Sequence, residues 1–234
     1  MSLQKTTQWL LTRCGESLST THIQKLNSAL NYLEAGRWLK ANGFTAASRY
    51  CTRPLLHSAI GSRIATERVL YLEFGVYTGV TLRLWSGILQ NPRSSLHGFD
   101  SFEGLPEHWD GARPKGEFTR PTGTSDGKRC LPRIDDPRAR LHIGWFQDTL
   151  PAFELPEHQR LVAHLDADLY SSTKFVLDSL KDSLVPGSIL LFDEFCDRLH
   201  ELKAFSEFLR ETRMRFQCLG ATTNLEQVVF ERAS

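Results

Sequence analysis

The chain has 234 residues and a mass of 26.6 kDa, with 41% hydrophobic and 24% charged side chains, a size and composition that suit one large α/β domain with helical additions better than two independent units. Its 28 basic and 27 acidic residues leave a formal charge of +1, so no global field favours nucleic acid as a partner. No segment has the long uncharged apolar stretch that spans a bilayer, and the first twenty residues lack the apolar h-region of a secretory signal, so a cytoplasmic protein with no membrane partner is expected.

Residues 22–41, HIQKLNSALNYLEAGRWLKA, place Leu26, Leu30, Leu33 and Trp38 on one stripe at helical spacing. Asn42 and Gly43 end that helix, and further helix and loop, broken by TRP at 52–54, follow to about residue 66. Residues 1–66 are therefore read as an N-terminal helical cap and 67–234 as the core domain. From Arg68 the pattern changes to a buried strand, VLYLEF, a helix, TLRLWSGIL, and a second strand, SLHGFD. Residues 101–138 are polar, rich in Gly and Pro, and longer than an ordinary connection, which marks them as either a functional lid, the preferred reading, or a partly disordered segment. ARLHIGW at 139–145 and LVAHLDA supply two more strands, STKFVLDSLKDSL a helix, and SILLFDEF a fifth strand after the turn VPG. A helix near 199–213 and the strands FQCLGAT and EQVVFERA, separated by TNL, end the chain. The expected fold is α/β: a doubly wound, Rossmann-like, mostly parallel sheet with an antiparallel C-terminal hairpin.

Chemistry concentrates at strand ends. Asp166 and Asp168 follow LVAHL, and Asp193 and Glu194 follow GSILLF. If both runs end at one sheet edge the acids meet there, and their mutual repulsion in a low-dielectric pocket requires a cation or a shared proton. The first strand opens into Glu73-Phe-Gly75-Val-Tyr-Thr-Gly79, where glycines let the backbone approach a ligand. Tyr77 occupies the middle-glycine position of the dinucleotide pattern, which disfavours a pyrophosphate over this turn and leaves simple helix packing as the alternative use. Asp100 ends the second strand 27 positions after Glu73, placed to accept from both hydroxyls of a ribose. By its position alone, Asp168 can cap the helix starting near Ser171. His97, His142 and His164 lie inside strands and read as hydrogen-bonded core residues. The five cysteines include no CxxC pair, which argues against a disulfide framework or a zinc site.

EFGVYTG, GFDSFEGLPE, GWFQDTLP, LDADLYSST and GSILLFDEF, in this order within residues 69–195, resemble class I S-adenosylmethionine-dependent methyltransferases of the TylF (macrocin O-methyltransferase) family and, more distantly, catechol O-methyltransferase. The resemblance implies a seven-strand methyltransferase sheet with S-adenosylmethionine over the first glycine turn. Glu73, Gly75 and Gly79 would line its methionine side, Asp100 would hold the ribose with Ser101 and Phe102 beside it, and Gln147 would lie near the adenine. Asp166, Asp193 and Glu194 would bind a divalent ion, usually Mg2+, and Asp168 would be the general base. Three hard oxygen ligands without a neighbouring Cys or His agree with that ion. Glu194 is a longer arm than the Asp often found at its position in the family. The activity implied is methyl transfer to a hydroxyl of a small molecule, a sugar or glycosylated natural product. The apolar stripe of residues 22–41 packs either on the chain's own core or on a second subunit, so the oligomeric state stays open, with a homo-oligomer as one reading. The residues also leave open a donor-binding protein without transfer, a metal-independent methyltransferase and a metal-dependent hydrolase.

Overall fold

The structure, a computed structural model, describes residues 2–45, 47–109, 113–121 and 130–234. The centre of the sheet is β2 (Val69–Phe74), β3 (Ser95–Asp100), β4 (Ala139–Ile143), β5 (Arg160–Leu165) and β6 (Ile189–Phe192). The remaining strands are β1 (Ser48–Tyr50), β7 (Phe216–Thr222) and β8 (Val228–Arg232), and the spatial order is β1-β7-β8-β6-β5-β2-β3-β4. β8 runs against both of its neighbours, while the other pairs are parallel. The mostly parallel sheet with a C-terminal hairpin is thus present, and an eighth strand joins the seven expected because residues 48–50 pair with β7.

Parallel strands buried on both faces need apolar side chains at successive positions, and VLYLEF meets this requirement. Leu70, Leu72 and Phe74 face one core layer with α6 (Tyr170–Leu180) and α7 (Glu201–Thr212); Val69 and Tyr71 face the other with α3 (Arg53–Gly61) and α4 (Val80–Ile88). In the second layer Tyr71 stacks on Trp85 with centroids 4.7 Å apart, and each ring contributes about 2–3 kcal/mol by leaving water. Trp85 Nε1 donates to His57 Nδ1 at 2.8 Å, so the proton on His57 sits at Nε2 and is donated to Gln227 Oε1, also at 2.8 Å. Burial holds this imidazole neutral, with its pKa pushed down to about 3. His57 therefore ties α3 to β8.

The helix expected at 22–41 is α2 (Thr20–Ala41), preceded by α1 (Leu3–Gly15). Only Ala35 and Leu39 of α2 are buried, and none of α1 is. Trp38 packs among Phe44, Phe195, Phe205 and Phe230, whereas Leu26 and Leu33 are 55% and 70% exposed; the stripe reaches the core only at its C-terminal end. Among the described residues, no helix is long and apolar enough to cross a membrane.

Candidate active site

Strand register brings the acids together. Phe74 pairs with Leu165, and Leu165 with Phe192, so the next residues, Gly75, Asp166 and Asp193, stand in line on three neighbouring strands about 4.8 Å apart. Phe99 pairs with Phe74 on the other side, which adds Asp100 to the row. Between β2 and β5 the chain reverses its direction of sheet growth, and a crevice opens beyond the carboxyl ends there, as expected for a doubly wound sheet.

That crevice is a cavity of about 310 Å³ walled by Gly75, Asp100, Ser101, Gln147, Asp166, Asp168, Asp193 and Glu194, together with Arg53, Tyr77, Trp109 and Arg113. Eight of the eleven site residues expected from the sequence thus share one cavity. Glu73, Gly79 and Phe102 stand behind its wall. Glu73 is 1% exposed and accepts from Tyr71 Oη at 2.8 Å. Gly79, at φ 71°, begins α4, where a Cβ would crowd Pro132 and Ile134. Phe102 packs inward and contributes only its backbone.

The glycine turn and Asp100 form one unit. Val76 and Tyr77 N–H donate to Asp100 Oδ2 at 2.8 and 2.7 Å, and Phe102 N–H donates to Oδ1 at 2.6 Å. Three backbone donors orient the carboxylate and occupy both acceptor sites of Oδ2 and one of Oδ1, which leaves Oδ1 one further lone pair for a hydroxyl. Gly75 has φ 95°, and a Cβ there would overlap the Asp166 carbonyl, so the closeness of the two loops depends on glycine.

On the opposite wall, burial and then the neighbouring anions push the carboxyl pKa values up: Asp166 well up, beside Asp193 and Asp168, and Asp168 to about 7, beside Asp193 and Glu194. Burial raises Glu194 as well, with Asp193 next in effect. Asp168 has φ 60° and does not cap α6, whose cap position is Leu169 with no side-chain bond. Two residues from α7 brace this loop: His200 Nδ1 accepts from Tyr170 N–H at 3.1 Å, and the buried Glu201 accepts from Ala167 N–H at 3.4 Å.

Arg53 had no place in the sequence reading. Its Nη1 lies 2.9 Å from Asp193 Oδ2, its Nη2 3.4 Å from Glu194 Oε1 and its Nε 3.3 Å from Glu226 Oε2. Asp193 Oδ1 is buried without a hydrogen-bond partner among the described residues. The donor set, hard oxygens with one buried orphan, fits a divalent ion. In the arrangement seen, however, no group of three His, Cys, Asp or Glu side chains among the described residues is placed to hold one. Cys196, near the acids, is buried with its thiol pushed up to about 12, so it is not a thiolate. Trp109 forms another part of the cavity wall, donating from Nε1 to Asp197 Oδ2 at 3.2 Å and lying 4.0 Å beneath the Arg113 guanidinium. The lid expected at 101–138 lies in part, at 110–112 and 122–129, outside the described residues.

The TylF family profile, described as macrocin-O-methyltransferase, matches residues 56–219, a stretch that contains every acid and glycine of the cavity. The chain belongs to the TylF family. Among curated relatives, the 8-demethyl-8-(2,3-dimethoxy-alpha-L-rhamnosyl)-tetracenomycin-C 4'-O-methyltransferase of Streptomyces olivaceus is 36% identical over 174 residues, covering 66% of this chain and 63% of the relative. The mycinamicin III 3''-O-methyltransferase of Micromonospora griseorubida is 29% identical over 140 residues, covering 53% and 54%. The chain thus spans between about half and two thirds of the length of these relatives. Two solved structures share the fold: the O-methyltransferase NovP, with TM-score 0.60, 20% identity and coverage of 78% and 80%, and the calicheamicin methyltransferase CalS11, with TM-score 0.59, 25% identity and coverage of 76% and 77%.

Proposed function

We propose that this TylF-family protein is a divalent-metal-assisted O-methyltransferase that methylates a sugar hydroxyl of a glycosylated small molecule. The observation that carries the reading is the meeting, in one cavity, of Asp100, held by the glycine turn with an Oδ1 acceptor site free for a ribose hydroxyl, and a carboxylate cluster across the neighbouring strand. The relative named for 4'-O-methylation of a rhamnosyl-tetracenomycin C supports a glycosylated acceptor, and the one named for 3''-O-methylation of mycinamicin III supports methyl transfer to a small-molecule hydroxyl.

S-adenosylmethionine, when bound, supplies an electrophilic methyl group, and a divalent ion held by Asp166, Asp193 and Glu194 supplies acidification of the acceptor hydroxyl. Gly75 keeps the wall between the two sites thin, while Asp100 and Gln147 fix the ribose and adenine ends. Asp168 takes the hydroxyl proton on its carboxylate. In the cluster as it stands its pKa of about 7 makes it a stronger base than an ordinary aspartate. Trp109 presents an apolar ring with a polar edge, suited to the mixed faces of a sugar, and with Leu105 and Phe118 on the same cavity wall excludes water from the acceptor oxygen.

The test is formation of S-adenosylhomocysteine and of a singly methylated product from a panel of rhamnosylated and related glycosides, with and without chelator. Turnover that survives exhaustive chelation would remove the metal and leave Asp168 to act alone. Absence of S-adenosylmethionine binding would remove the whole reading.

A further inference from the structure

The acid cluster contains its own cation. Arg53 directs all three guanidinium nitrogens at carboxylates, and they reach acids from two parts of the chain: Asp193 and Glu194 after β6, and Glu226 before β8. We infer that Arg53 is a built-in counter-ion of the carboxylate cluster, which a divalent cation must displace before Asp166, Asp193 and Glu194 can close on it. The inference rests on the metal-assisted reading above and adds to it a competitor within the chain.

Three features make exchange, rather than permanent pairing, the consistent account. Only the contact to Asp193, at 2.9 Å, is short; those to Glu194 and Glu226, at 3.4 and 3.3 Å, are stretched, so one fork is shared among more acids than it can bind well. The guanidinium also leaves Asp193 Oδ1 without a hydrogen-bond donor among the described residues. Finally, the pair is asymmetric: the Arg53 side chain is 40% exposed, the Asp193 side chain 5%. Asp193 cannot follow a departing partner, whereas Arg53 can swing outward. Glu226, which is not part of the cavity wall, can retain it there.

The backbone limits the motion to that side chain. Arg53 is the first residue of α3, whose N-terminus is set by the Thr52 cap on Leu55 N–H and by Pro54. One turn further, His57 is locked between Trp85 and Gln227. A divalent ion and a guanidinium sharing Asp193 and Glu194 would repel strongly at such separations. The absence of a ready ion site among the described residues is what an arginine-occupied cluster should look like.

The experiment is calorimetric titration of the protein, free of S-adenosylmethionine, with MgCl2 and with MnCl2. It compares wild type, Arg53→Gln, Arg53→Lys and the control Arg63→Gln, which removes the same charge from an exposed site beyond the other end of α3. Melting curves are recorded with and without metal. Arg53→Gln should bind either ion roughly tenfold more tightly, the lower end of what neighbouring groups contribute to metal affinity. Without metal it should melt lower than wild type, and added ion should restore the difference. Arg53→Lys keeps a charge but lacks the fork, so its affinity should fall between the two and carries the test if the glutamine variant folds poorly. Arg63→Gln should match wild type. Affinity in Arg53→Gln equal to or below wild type, with metal binding intact, overturns the inference alone. Failure of every variant to bind either ion overturns the metal-assisted reading and the inference with it. Binding by Arg53→Gln but not by wild type supports the inference in its strongest form.

Discussion

Gly75 and Asp166 stand next to each other at the ends of β2 and β5, so close that a single added carbon on Gly75 would overlap the Asp166 carbonyl. The backbone of the glycine turn and that of the loop carrying Asp166 and Asp168 are therefore one packed unit. Gly75→Ala must meet both this overlap and a φ of 95°, a combination that should cost more than about 2 kcal/mol. Because the relaxation moves both loops, donor affinity and metal affinity should fall together. Thermal melting and two separate titrations check this; a loss confined to one ligand would contradict the shared wall.

Asp166 lies across that wall from Asp100, so its chemistry should be separable from donor binding. Asp166→Asn preserves the shape and removes the charge. It should lose metal binding by at least about tenfold while S-adenosylmethionine affinity stays within about twofold. Collapse of donor affinity instead would place Asp166 in the donor site.

Much of this site is legible in the sequence because buried parallel strands write themselves as unbroken apolar runs, and the residues that follow the runs must emerge at one edge. Gly75, Asp100, Asp166 and Asp193 are all found that way. Arg53 is not, since it lies 140 positions from Asp193 and reaches it only through the packing of α3 against β7, which no local pattern encodes. The motif around Glu73 locates the right turn, but Glu73, Gly79 and Phe102 support the cavity from behind. Strand β1 has three residues and too little period to read, and α1 buries no side chain, so it has no core-facing stripe to show.

Glu201 is a positioning residue without an expected chemical role. It is fully buried, and burial, with Asp193 next in effect, pushes its pKa well up, so a neutral amide should replace it at little cost. Its Oε1 accepts from Ala167 N–H in the loop that carries Asp168. Glu201→Gln should therefore retain near-wild-type stability and kcat. Glu201→Ala, which leaves that N–H unpaired over a cavity, should lose about 1–3 kcal/mol and lower kcat more than it raises KM for the acceptor. Equal behaviour of the two variants would show that the carboxyl does not hold the loop.

Glu73 gives the fold a pH dependence of its own. Burial pushes its carboxyl from 4.5 to about 8 in spite of the Tyr71 hydroxyl that donates to it. A group with a raised folded-state pKa binds its proton more tightly in the native protein than in the unfolded chain. Its favourable contribution is complete below the unfolded value and is lost as pH rises through the interval up to the folded value. Wild-type protein should therefore lose stability between about pH 4.5 and 8, and Glu73→Gln, which cannot ionise, should lose less. Because the other buried carboxyls are common to both proteins, the difference between them isolates this group. Urea unfolding at about pH 5.5 and about pH 8.5 should show the glutamine variant gaining on wild type by on the order of a few kcal/mol across the interval. A constant difference between the two proteins would mean that Glu73 is ionised throughout, and that its hydrogen bond to Tyr71 outweighs burial.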